Sequence, residues 1–206
     1  MHREGHVGLT LIIFSIFLYI LNTWDLRSIE TLLIALVFST IPDYDIQIQR
    51  LGMKNLFRNL GIVLLSLSPV TLLVHLPLQI PVYLVVLSLF FFLLFAMSEH
   101  RKFSHTLAFA TICGLFMGFF TLNVFNDFYV GFFGAFFGVI SHILGDLPTY
   151  TPFSPLYPIS RRKVSLKLFK SSNKLINTLL LLIGIVMFVT LYENGTVLRL
   201  VSNYVR

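Results

Sequence analysis

Charge is scarce in this sequence. Asp, Glu, Lys and Arg make up 12% of its 206 residues, whereas 56% are hydrophobic, 22 are Phe and the mean hydropathy is +0.86. A soluble domain carries about 25% charged residues, so the composition excludes an ordinary soluble fold. Cysteine is nearly absent. Cys113 stands alone inside an apolar run, which excludes an intrachain disulfide and a thiolate-built metal site and marks it as a core residue. No Gly-x-Ser-x-Gly element is present for a serine hydrolase, and no His-Glu-x-x-His for a zincin protease. The polar stretch before Val7 is too short for a cleavable signal, so the first apolar run is expected to remain as a helix.

Long apolar runs stand in place of charge. About 20 apolar residues cross a bilayer core, and apolar segments fall at residues 7–21, 29–41, 60–76, 82–97, 106–122, 129–144 and 175–191. The expected fold is all-α: a polytopic helical membrane protein with about seven transmembrane helices, in a single membrane-embedded domain over residues 1–206. The second segment is short, because thirteen residues rise only about 20 Å. Residues 145–160 hold four of the eight prolines. Successive prolines deny that stretch a helix, so it is expected as an irregular Pro-rich strap at the membrane interface, followed by a basic segment at 161–174.

With a cytoplasmic N-terminus and seven crossings, twelve of the 15 Lys and Arg residues fall inside, and only Arg27, Arg199 and Arg206 fall outside. The positive-inside rule favours that orientation in a cytoplasmic (inner) membrane. Topology and anionic headgroups account for the net charge of +6, with no need of a nucleic-acid partner.

The remaining ionisable groups then gather at cytoplasmic helix ends. His6 starts the first segment. Asp43 and Asp45, in "IPDYD", end the second. His100 and His105, in "SEHRKFSHT", flank the turn between the fourth and fifth, and His142 and Asp146, in "SHILGD", end the sixth. His and carboxylate groups near a membrane core are costly and mark function. His142 and Asp146 are four apart and share a helix face. His100 and His105 lie about 140° apart on an ideal helix and converge only if the helix breaks between them. Imidazoles and carboxylates without thiols suit Zn, Mn, Fe or Ni. Seven candidates exceed the four ligands of one tetrahedral ion, which points to two ions or to one ion with supporting carboxylates. His2 and His75 read as structural, and Glu30 and Asp127 as solvated helix ends. The Phe-rich run 132–137 reads as lipid-facing or packing surface, and Gly131, Gly134 and Gly138 as sites of close helix approach.

In that order, "GHVG", "IPDYD", "HRKFSHT" and "SHILGDLPTYTPFSPLYPIS" resemble the YdjM-like family of membrane-bound metal-dependent hydrolases, and "NKLIN" fits the family's asparagine before the last helix. The likeness runs from His6 to about Asn177. Gly145 departs from it, standing where a larger apolar residue is common. The resemblance implies metal positions at His6, Asp43, Asp45, His100, His105, His142 and Asp146. It also implies a distant likeness to zinc-dependent phospholipase C and related nucleases.

The expected activity is hydrolysis of a phosphoester in a lipid or lipid-linked substrate at the cytoplasmic face, with one or two divalent ions, zinc favoured. Asp45 is the candidate to orient or deprotonate water, and Arg101 to hold a phosphoryl oxygen. Tyr150, Phe153 and Tyr157 on the strap would border the acyl chains, with Arg161 beside them as a further substrate contact. Two rivals stand. A ceramidase-like zinc amidase would use the same residue types on an amide. A metal transporter would place ligands near the bilayer midplane with a path to both sides, where this sequence offers little.

Overall fold

The computed structural model of the chain describes residues 1–21, 25–44, 51–74, 77, 79–99 and 103–204. Among them the regular structure is helical: α1 (Arg3–Leu21), α2 (Leu26–Phe38), a 3-10 turn (Ile41–Asp43), α3 (Lys54–Leu73), α4 (Gln79–Glu99), α5 (Leu107–Phe125), α6 (Phe128–Asp146) and α7 (Lys174–Tyr204). No strand forms among the described residues; two isolated bridges lie in the strap. The all-α expectation therefore holds. Among the described residues, four helices are long and apolar enough to cross a membrane: α1, α5, α6 and the stretch Lys174–Gly195 of α7.

The chain packs as two compact units, one formed by Met1–Pro42 with His105–Arg206, the other by Asp43–Ser104. In the first unit α1 lies along α7, and α6 packs against α5, α2 and α1. Its core is built on Leu11, Phe14, Leu32 and Ala35, with Val7, Leu36 and Phe188 against them. Cys113 is buried. In the Phe run, neighbouring turns stack their rings and part of the run stays exposed. Phe132 and Phe136 stack at 5.8 Å, while Phe133 and Phe137 stack at 5.9 Å and are 43% and 39% exposed.

Helix ends follow local chemistry. Asp25 caps α2 by accepting from Ser28 N–H at 2.8 Å, so α2 starts three residues before the expected segment. It closes at Phe38, ahead of Pro42. With 13 residues, it remains about 10 Å short of a bilayer core. Asn126 turns α5 into α6 with φ 55°, a left-handed conformation that asparagine tolerates. Asp127 then caps α6, accepting from Tyr129 N–H at 3.0 Å, and pairs with Arg27 at 3.1 Å. The expected solvated end at Asp127 is thus a cap and an ion-pair partner.

In the second unit α3 and α4 pack together. Buried Ser88 donates to Gly61 O at 2.8 Å, and the Phe57 and Phe91 rings lie 6.2 Å apart. Pro69 lies inside α3.

The strap is irregular from Leu147 to Asn173, as its prolines require. It folds back on itself: Leu147 O accepts from Leu166 N–H at 2.8 Å, Pro148 O from Leu168 N–H at 2.8 Å, and Phe169 O from Tyr150 N–H at 3.2 Å. Pro155 O accepts from Leu107 N–H at 2.9 Å, tying the strap to the start of α5.

Candidate metal centre

The last turn of α6 carries the centre. His142 and Asp146 are one turn apart, with His142 fully buried. His105 reaches them from the turn before α5. That turn ends where Thr106 caps the helix, its hydroxyl accepting from Phe109 N–H at 3.1 Å. His6, also fully buried, comes from the first turns of α1. All four belong to the first unit.

Three atoms form a near-equilateral triangle. His142 Nε2 lies 3.2 Å from His105 Nε2, His105 Nε2 lies 3.2 Å from Asp146 Oδ2, and His142 Nε2 lies 3.5 Å from the same oxygen. A tetrahedral zinc with nitrogen and oxygen ligands at ~2.0–2.1 Å sets its ligand atoms about 3.3 Å apart, so the residues fit such an ion. The other carboxylate oxygen, Asp146 Oδ1, lies 3.4 Å from His6 Nε2 and also contacts the Met1 amino group. One carboxylate thus faces two histidine environments.

The tautomer of His142 follows from its partner. Nδ1 lies 2.7 Å from the carbonyl oxygen of Ser39. A carbonyl only accepts, so Nδ1 carries a proton, and in the neutral ring Nε2 presents its lone pair to the triangle. Asp146 Oδ2 is also an acceptor, so a hydrogen on His105 Nε2 or a metal ion satisfies these atoms. Metal-bound histidines usually donate their other nitrogen to a carbonyl or carboxylate in this way.

Two buried hydroxyls lie beneath. Thr10 Oγ1 and Ser141 Oγ are 2.6 Å apart, joining α1 to α6; Thr10 is one turn after His6, and Ser141 directly precedes His142. Asn177, also buried, accepts from His2 N–H at 3.2 Å and donates to Ser171 O at 3.0 Å and Asn173 O at 2.7 Å. It ties the start of α1 to the start of α7.

Of the seven expected ligands, the first unit brings together His6, His105, His142 and Asp146. Asp43 ends the 3-10 turn, one residue beyond Pro42, the last residue of that stretch of the first unit. Asp45, His100 and Arg101 lie outside the described residues, as do His75 and Lys102. On the strap, Tyr150 is half exposed, Tyr157 partly buried and Arg161 exposed. The Phe153 ring lies 6.2 Å from that of His105. Ser39, Thr10 and Ser141 were not expected at the centre. One signal pointed to Ser39: it stands three residues before Pro42, where the helix must end and leave carbonyls without helical partners.

No curated protein and no solved structure matches the chain. The family model for the YdjM inner membrane protein matches residues 1–204. An apolar helical chain carrying a His/Asp cluster that suits a metal ion therefore belongs to the YdjM family of inner membrane proteins.

Proposed function

We propose that the protein is a membrane-bound metal-dependent hydrolase acting on a phosphoester in a lipid or lipid-linked substrate at the cytoplasmic face. The observation that supports this best is the triangle of His105, His142 and Asp146, whose 3.2, 3.2 and 3.5 Å edges suit one tetrahedral ion. Those three residues would hold a divalent ion, zinc favoured. His6, with the second oxygen of Asp146, would serve a neighbouring ion, and Asp43 and Asp45 follow in the chain as further candidate ligands. When bound, such an ion supplies Lewis acidity and makes a water nucleophilic at neutral pH.

The chain's own groups do the rest. Ser39 O holds the His142 ring in one tautomer. Asp45, if it is not itself a metal ligand, would orient or deprotonate the attacking water. Arg101 donates two parallel N–H groups to a phosphoryl oxygen pair, and Arg161 adds positive charge on the strap. Tyr150, Phe153 and Tyr157 border the acyl chains, Phe153 doing so beside His105. In this reading the matched chain acts as one membrane-embedded domain. It crosses seven times with the N-terminus cytoplasmic, α2 spanning only with its flanking residues or a thinned bilayer.

The test is a screen of purified protein against phospholipid, lipid-phosphate and lipid-amide substrates, together with metal analysis. Phosphoester cleavage that stops with chelator, returns with zinc and is lost in Asp146→Asn is the expected result. Amide cleavage with the same metal dependence moves the protein to the ceramidase-like class. Full metal content without cleavage of either substrate class overturns the hydrolase reading.

A further inference from the structure

We infer that the strap loop between Phe153 and Val164 is a binding site for anionic phospholipid headgroups, with an apolar tip set into the bilayer surface and a cationic collar at the phosphates. The loop is closed at its base. Val164 N–H donates to Phe153 O at 2.8 Å, Phe153 N–H to Val164 O at 3.3 Å, and Ser154 Oγ to Arg161 O at 3.3 Å. Ser160 N–H donates to Leu156 O at 2.9 Å within it. Such a loop keeps its shape without packing its tip.

That tip is apolar and open. Ile159 is 93% exposed and Leu156 50%. A single exposed aliphatic residue is ordinary on a protein surface. Here it directly precedes a run of exposed cations, Arg161, Arg162 and Lys163, with only Ser160 between. Apolar side chains beside Lys and Arg mark segments that lie in a bilayer interface. The charge has no acidic counterpart along the chain, because no Asp or Glu occurs between Asp146 and Glu193. Each cation close to an anionic leaflet strengthens binding roughly fivefold, so the three together favour an acidic surface on the order of a hundredfold. The loop begins seven residues after the end of α6, a helix long and apolar enough to cross a membrane, so the bilayer surface is its nearest partner. The proposal concerns binding alone and stands without turnover.

The experiment uses the full chain with Cys113→Ser and Ile159→Cys, labelled with an environment-sensitive fluorophore and placed in lipid nanodiscs. The discs hold phosphatidylcholine alone or with ~30% phosphatidylglycerol as the acidic lipid. Discs expose both faces, so the direction of insertion does not enter. A quencher carried on the lipid should act several-fold more strongly in the acidic discs, and high salt should reverse the gain. The combined substitution R161Q/R162Q/K163Q should abolish it. A label at Thr151→Cys, outside the loop, serves as the reference, and Leu156→Cys repeats the measurement from a second tip position. Equal quenching in both lipids would leave the cations a purely topological role and overturn the proposal. So would an acidic-lipid effect that survives the triple substitution.

Discussion

The ring of His6 lies flat on the ring of His142, with centroids 3.7 Å apart and 12° between the planes. Two helices meet in that stack, and Gly145 makes room for it. A Cβ at Gly145 would come within 2.9 Å of His6 Nδ1 and 2.7 Å of Met1 Cε. Gly145 is therefore part of the wall of the His6 pocket. Alanine is the better helix former by about 1 kcal/mol, so Gly145→Ala should leave α6 intact and displace the His6 ring. The expected outcome is a folded protein, by circular dichroism and size exclusion, whose metal affinity falls on the order of tenfold. Wild-type metal affinity in that variant would show that the stack does not position the centre.

Gly138 lies two turns earlier on the same helix. A Cβ there would meet Ala35 O at 2.5 Å and Phe38 Cβ at 2.9 Å, so α2 and α6 approach only because it is absent. The approach brings Ser39 O to His142 Nδ1. Gly138→Val should push α2 off α6 and remove the acceptor that fixes the imidazole, lowering metal affinity roughly 10- to 100-fold. Metal titration by calorimetry on purified protein checks this. A variant that binds as tightly as wild type would mean the Ser39 contact is incidental.

Asp146 uses both of its oxygens, Oδ2 toward His105 and His142 and Oδ1 toward His6. Asparagine keeps the shape but loses the charge and one oxygen. Asp146→Asn should strip most of the metal from protein purified without chelator, and His142→Ala should do the same, as read by elemental analysis. Unchanged metal content in both variants would remove the cluster as a metal centre.

Much of this architecture was legible in the sequence. The expected apolar segments correspond to the helices found, because apolar runs of that length have few other folded forms. The i, i+4 spacing of His142 and Asp146 put both on one face of α6, and the prolines at 148, 152, 155 and 158 predicted the irregular strap. What pattern could not reach was the contact between helices. Nothing in the spacing tells that His6 stacks on His142, or that Gly145 shapes that pocket, since both depend on how α1 crosses α6. The cap at Asp25 moved α2 by three residues because a side-chain hydrogen bond outweighed hydropathy there. Charge counting placed Arg27 and Asp127 on the same side; their 3.1 Å ion pair is a tertiary fact it could not supply.

Topology can be read with reporters. With seven crossings and twelve of 15 basic residues inside, a fusion after Lys170 should report cytoplasmic and one after Arg206 external. Both on one side would mean that α7 fails to span. An external reading after Lys170 with a cytoplasmic one after Arg206 would mean that a segment before the strap fails. The 13-residue α2 would be the first suspect, and the expectation that Asp43 and His6 fall on one membrane face would have to be drawn anew.

Arg101 separates phosphoryl from acyl chemistry. A planar fork of donors matches a phosphate, and the point charge of a lysine does not replace it. A neutral amide needs it less, since polarisation of one carbonyl suffices. Arg101→Lys should therefore keep metal content and fold, yet lose about ten- to a thousand-fold in turnover on a phosphoester. That corresponds to ~1.4–4 kcal/mol of transition-state stabilisation. Lys102→Ala, a topological charge in this reading, should be nearly silent. If Lys102→Ala abolishes turnover while Arg101→Lys is fully active, the two side chains have exchanged roles. If neither matters and amides are cleaved, the centre serves an amidase, and its ligands stand while its substrate class changes.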